Sequence, residues 1–275
     1  MHNEPTKKSK LFIHIALIIG SIIMILPFIW MFLTSGKTIP ETTSIPPTIL
    51  PESFQWVNYK NVWNVLPFVA FFLNTGIMII VRVITSTLFS AMAAFAVAKL
   101  EFPGKNLFFW MVLTQMMIPG QIFLTPQYLL VQNIGMLNTV TALIIPGIIS
   151  AFGTFLLRQF FMKLPDELME AATIDGANIW QVFARIYLPL AKSGLVSLSI
   201  FTALFAYKDL MWPLIVNISQ EKMTLSAGLA SLQGQFTSNY PQLMAGSVIS
   251  IIPMIILYII FQKQFIQGIA STGGK

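Results

Sequence analysis

Long apolar runs separated by short polar segments dominate this chain, and their lengths set the expected elements. A helix that crosses the hydrocarbon of a bilayer needs about 20 mostly apolar residues. Runs of that kind occupy residues 11–33, 68–98, 107–130, 139–157, 188–207 and 243–261. From Asn106 through Leu157 there is no charged residue at all, which is too long for one span. The polar stretch NIGMLNT, Asn133 to Thr139, divides it into two helices and a short turn. The pattern therefore predicts an all-α membrane protein with six transmembrane helices. The first run follows Lys7, Lys8 and Lys10, as the core of a signal peptide would. It exceeds the usual apolar length of about 7–15 residues, and no small-residue cleavage site comes after it, so a retained helix is expected.

Residues 158–192 break the pattern. Here four acidic and four basic residues interrupt the apolar runs. Pro165 suits a first helical turn, and Asp166 and Glu167 favour the positive end of a helix. Glu170 is followed by the narrow pair Ala171 and Ala172, and Gly176 suits a C-terminal cap, where positive φ is common. Asn178 with Gln181 three residues on resembles a capping box that opens a second short helix. Pro189 marks entry into the fifth span. The expected result is helix, turn, helix, with a small-residue knob and one carboxylate exposed.

Composition agrees with lipid as the main solvent. Of 275 residues, 56% are hydrophobic and 9% charged, with a mean hydropathy of +0.76; soluble domains carry roughly 25% charged residues. The absence of cysteine excludes disulfides, thiolate catalysis and Cys-ligated metals. A net charge of +6 points to nucleic acid only when it is clustered on one face, and here the basic residues sit in the connections. Counting Lys and Arg between the spans places eleven on the side of both termini and four (Lys37, Lys60, Lys208, Lys222) on the other. The positive-inside rule then puts both termini, and residues 158–192, in the cytoplasm. His2 and His14 have no carboxylate or second His at ligand spacing, so no metal is expected.

At this point the residues carry a resemblance. The stretch EAATIDGANIWQVFARIYLP, Glu170 to Pro189, resembles without a gap the EAA loop of ABC importer permeases. The segments NTGIMIIVRVITSTLFSAMAAFAVAKLEFPG, LLRQFFMKLPDELMEAATIDGA and FQKQFIQGIASTGGK are similar to the MalG-type subunit of carbohydrate importers. The resemblance implies a type I ABC importer permease fold, in a bacterial cytoplasmic membrane. It implies a cytoplasmic N-terminus (1–10), a permease domain (11–262) with a coupling loop (158–192) and an external loop (213–242), and a cytoplasmic tail (263–275). In that family the EAA loop docks into the cytoplasmic ATPase. Carried over, Glu170 would be the ionic contact, Ala171 and Ala172 the close-packing surface, and Asp175, Gly176 and Ala177 the turn. The implied partners are a second homologous permease, two ATPase subunits that bind ATP and Mg, an external solute-binding protein and a sugar substrate. Uptake of glycerol phosphate or a polyol is the alternative substrate class. A tail of this kind reaches between the ATPases, which would place Gly273, Gly274 and Lys275 there.

Other residues stay open at this level. Arg82, Ser86, Ser90, Ala94 and Ala98 recur every four residues, a spacing that lets helix backbones approach closely in lipid. Arg82 either lines a translocation path or is a structural residue satisfied by backbone carbonyls or by a polar neighbour such as Gln115. Pro119 and Gly120 predict a kink in the third span. Tyr207 and Lys208 stand where the family often has Trp and Asn, and Asp209 lies at the outer edge of the fifth span; Arg82, Gln115 and Asp209 are the candidates for lining a translocation path. Trp212 suits an interfacial belt. GIASTGGK lacks the Ser or Thr and the helix of a P-loop, so the chain has no nucleotide site of its own. A secondary transporter driven by an ion gradient would use intramembrane carboxylates, and no Asp or Glu falls inside the six runs. An intramembrane enzyme would need a nucleophile–base pair, and none is found.

Overall fold

The structure, a computed structural model, describes residues 7–233 and 239–273, with backbone alone at 7, 8 and 264–273. Among these residues the regular structure is helical. The chain divides into two compact units, one formed by Met1–Leu66 and Leu229–Met254, the other by Pro67–Gly228 and Ile255–Lys275.

α1 (Lys7–Ser35) is one apolar rod, and no residue in its most apolar stretch is buried within the chain. It leads into a compact segment with two short helices, α2 (Ile39–Thr43) and α3 (Val57–Val65). Thr38 and Glu41 form a capping box at the start of α2. Backbone N–H groups of Glu52 and then Thr38 hold the Glu41 carboxyl below its ordinary range. Lys37 is fully buried: its Nζ donates to the Thr48 carbonyl and lies 4.6 Å from the centre of the Trp30 ring.

α4 (Phe68–Lys99) is the longest uninterrupted element of the second unit. After it the spans are broken. α5 (Lys105–Met117) and α6 (Leu124–Asn133) meet at 103° across Pro119, which has no N–H to continue the ladder. α7 (Val140–Ile144) and α8 (Ala151–Phe161) are bent by 42°, each with a local start signal: Thr139 Oγ1 accepts from the Ala142 N–H and Ser150 Oγ from the Gly153 N–H. α9 (Glu167–Ile174) and α10 (Ile179–Val182) form the helical pair of the charged segment. A π-helical turn, Phe183–Tyr187, joins α10 to α11 (Leu188–Leu190), and α12 (Lys192–Lys208) leaves at 78°. α13 (Met211–Val216) and α14 (Leu225–Ala230) are short, and α15 (Tyr240–Gly273) closes the chain. Three helices are each long and apolar enough to cross a membrane, and the three bent pairs raise the number to six if each pair is one span. α15 outlasts the apolar run at 243–261, continuing through Gly273.

The four-residue stripe predicted on α4 is a packing seam. Arg82, Ser86, Ser90 and Ala94 are buried. A Cβ at Gly153 of α8 would stand 2.5 Å from Ser90 Oγ, so the two backbones are as close as glycine permits. Thr87 of α4 and Ser199 of α12 share a hydrogen bond of 3.2 Å. Below the seam, Phe95, Phe161, Phe183 and Tyr187 interlock, with ring centres of Phe95 and Tyr187 5.2 Å apart.

Candidate functional site

α9 is amphipathic at a small scale, and its two faces have different duties. Glu167, Glu170, Ala171 and Ile174, spaced three and four apart, are exposed, Ile174 by 86%. Ala172 points the other way and is only 8% exposed, packed in the core with Phe95, Phe161 and Tyr187. The exposure expected for both alanines is met at Ala171 and not at Ala172. Ala172 is narrow because its own chain lies against it, and Ala171 with Ile174 forms the apolar part of the outward face.

The turn after α9 follows the local chemistry. Gly176 has φ +82°, its N–H bonds to the Thr173 carbonyl at 3.0 Å, and the Ala177 N–H reaches Ala172 at 2.9 Å. These two bonds make a Schellman cap, with Asp175 exposed and Ala177 half-buried against the core. Asn178 and Gln181 form the expected capping box, both bonds at 2.9 Å. Residues other than glycine are strained in this left-handed region by about 1–2 kcal/mol. Gly176→Val is therefore expected to speed amide hydrogen exchange at Thr173 to Ala177 by about tenfold. Unchanged exchange there would show that the cap does not hold the turn.

Sequence reasoning missed the joint that ties this segment to α4. Lys99, the last residue of α4, is 8% exposed. Its Nζ donates to the Leu164 carbonyl at 2.6 Å and to Asp166 Oδ1 at 2.5 Å, and lies 5.5 Å from the centre of the Tyr187 ring. Tyr187 in turn donates to the Pro165 carbonyl at 3.1 Å. The start of α9 and the end of α4 thus share one polar knot over an aromatic floor. The only signal in the sequence was a lysine ending an apolar run, which reads as a topology marker. Beside the joint, Ile179 and Trp180 are exposed by 56% and 64% along an apolar groove that also touches Leu100 and Met169.

Of the three residues considered for a translocation path, two meet. Arg82 Nη1 donates to Asp209 Oδ2 at 3.0 Å, and Nη2 to the Leu143 carbonyl. Gln115 is exposed on α5 and is not the partner of Arg82. Asp209 reaches the arginine because α12 ends at Lys208 and the backbone turns extended at Asp209. Tyr207 is half-buried and Lys208 exposed, 5.5 Å from the centre of the Phe205 ring. Trp212 is not a belt residue: it is 3% exposed and its indole N–H donates to the Ala142 carbonyl at 2.8 Å. Gly273 is the last described residue and is helical, while Gly274 and Lys275 lie outside the described residues, as do 234–238 of the expected external loop.

Residues 86–271, which include the α4 seam from Ser86 onward and the charged segment, match a family described as the binding-protein-dependent transport system inner membrane component. The sn-glycerol-3-phosphate transport system permease protein UgpE of Yersinia pestis bv. Antiqua (strain Antiqua) is 32% identical over 98% of this chain and 99% of its own. The diacetylchitobiose uptake system permease protein NgcG of Streptomyces coelicolor is 33% identical over 94% of this chain and 87% of its own. A chain from the crystal structure of a bacterial ABC transporter involved in import of the acidic polysaccharide alginate has the same fold. It superposes with a TM-score of 0.79 at 24% identity, covering 95% of this chain and 99% of that one.

Proposed function

This chain belongs to the family of binding-protein-dependent transport system inner membrane components, and from that premise we propose that it is the membrane permease subunit of an ATP-driven sugar importer. The observation that carries the coupling part of this reading is the outward face of α9. Glu170, Ala171 and Ile174 are exposed, on a helix whose start is tied to the end of α4 by the buried Lys99. An exposed carboxylate beside an apolar knob suits a protein partner with a basic residue at the rim of a cleft. That partner is a cytoplasmic ATPase, present in two copies with a second permease and an external solute-binding protein. Both termini lie in the cytoplasm, as the distribution of Lys and Arg supports. ATP and Mg belong to the ATPases, and this chain's part is to move. Closure of the ATPases displaces α9, the Lys99 knot carries the displacement to α4, and the seam between α4 and α8 shifts around the solute path. The sugar class is supported by the diacetylchitobiose relative, and glycerol phosphate by the other named relative.

Co-purification from detergent tests the reading. Wild type is expected to bring down an ATPase and a second permease. Glu170→Lys is expected to lose most of the ATPase and keep the permease, because the reversed charge faces the same basic site. Wild type that purifies alone, or ATPase recovery unaffected by Glu170→Lys, would refute the docking role of this face.

A further inference from the structure

Arg82 leaves its Nε–H unused. With Nη1 on Asp209 and Nη2 on the Leu143 carbonyl, the buried Nε has no hydrogen-bond partner among the described residues. One turn along α4, Ser86 is 1% exposed, and its Oγ is likewise unpartnered. Both residues line the same cavity of about 200 Å³, together with Gly147, Ser150, Thr202 and Phe205. Gly147 keeps the Nε edge open, since a Cβ there would stand 2.5 Å from Nε. A buried donor without a partner is costly, and intramembrane polar groups characteristically face a water-filled or ligand-filled space. Two such groups on one wall indicate a polar occupant. At about 30 Å³ per water, the space is roughly six or seven waters, the scale of one sugar ring.

Charge selects among occupants. Arg82 and Asp209 cancel, so the cavity offers hydrogen-bonding groups without a net charge. A phosphate monoester brings close to two negative charges at neutral pH and would need a free cation to replace its hydration. A neutral sugar needs donors and acceptors for its hydroxyls and an apolar surface for its C–H face. Arg82 Nε and the Ser86, Ser150 and Thr202 hydroxyls supply the first, and the half-exposed ring of Phe205 supplies the second. We propose that this cavity takes a ring of a neutral sugar, with Arg82 Nε and Ser86 Oγ meeting its hydroxyls, and that Asp209 excludes anionic solutes by holding the charge of Arg82. The proposal rests on the importer reading above and decides between its two substrate classes.

The test is saturation-transfer NMR on the full chain, with its co-purified subunits, in lipid nanodiscs. Maltose and N,N′-diacetylchitobiose are the neutral probes, and sn-glycerol 3-phosphate is the anionic one. A neutral probe is expected to receive saturation and the phosphate is not. Ser86→Ala is expected to weaken neutral binding about fivefold, the effect of one hydrogen bond. Asp209→Asn is expected to gain binding of the phosphate. The proposal is overturned by a wild-type response to the phosphate equal to or above the neutral probes, or by no response to any probe. It is equally overturned by unchanged titration in Ser86→Ala, or by no gain in Asp209→Asn recovered in wild-type yield. Loss of the ATPase from the same wild-type sample would instead mark failure of the importer reading.

Discussion

Lys99→Met is expected to uncouple the assembled transporter, lowering solute uptake by at least about tenfold, or about 1.4 kcal/mol of barrier, while ATP hydrolysis persists. Methionine keeps most of the side-chain volume and removes every polar anchor of the knot. The Leu164 carbonyl and Asp166 lose their donor, and the ring of Tyr187 loses its cation. Asp166→Asn is the graded comparison. The Asp166 side chain is 73% exposed, so solvent screens that half of the ion pair, and the Leu164 carbonyl still accepts from Lys99. Its uptake is expected to stay within about twofold of wild type, because exposed pairs contribute little. The measurement is uptake and phosphate release side by side in proteoliposomes. If the two activities fall together in Lys99→Met, the knot is a folding element and does not transmit motion.

Gly153→Leu is expected to abolish recovery of monodisperse chain from detergent. At this position a Cβ would already meet Ser90 Oγ at 2.5 Å, and Ser90 Cβ and Leu198 Cδ2 at 3.0 Å. Three close contacts from two other helices leave no direction for relief, and forcing extra methylenes into a packed core costs about 1–3 kcal/mol or more. Gly153→Ala is expected to lower the thermal midpoint without abolishing the fold. Adding Ser90→Gly is expected to restore most of that loss, since it removes two of the three atoms. Gly76→Ala, on the same α4 but with nothing within 4 Å of the added carbon, is the neutral control. A Gly153→Ala midpoint equal to that of Gly76→Ala would show that the seam is looser than described.

Features set by neighbours in sequence were the ones the sequence made readable. Gly176, the Asn178–Gln181 box and the α4 stripe each depend on residues within one turn of each other, where spacing alone fixes direction. The break at Pro119 belongs here too, because a missing N–H is a property of the residue itself, although only the structure gives the 103° bend. Contacts across long separations were not readable. Asp209 lies 127 residues from Arg82, and at the edge of an apolar run it read as a rim residue, so Gln115 looked the nearer partner. Lys99 read as a cytoplasmic charge because nothing local indicates that the Leu164 carbonyl waits beside it. Ala172 was placed outward with Ala171 because a pair of alanines carries no signal of which one the core will take. Trp212 failed in the same way: tryptophan suits an interface, and only packing against α7 shows that its N–H is used inside.

The length of α4 has a mechanical consequence. Seventeen residues separate Lys99 from Arg82 on a helix with neither proline nor glycine between them, which is about 26 Å of stiff rod at 1.5 Å per residue. With the pivot at the knot, a tilt of about 10° sweeps the guanidinium through roughly 4–5 Å on that arm. That travel exceeds the 3.0 Å contact between Arg82 and Asp209, so with Asp209 held in place a small rotation imposed at the Lys99 end suffices to break or remake the ion pair deep in the bundle. Torque delivered at one end of the rod is thereby converted into a change of charge exposure at its middle.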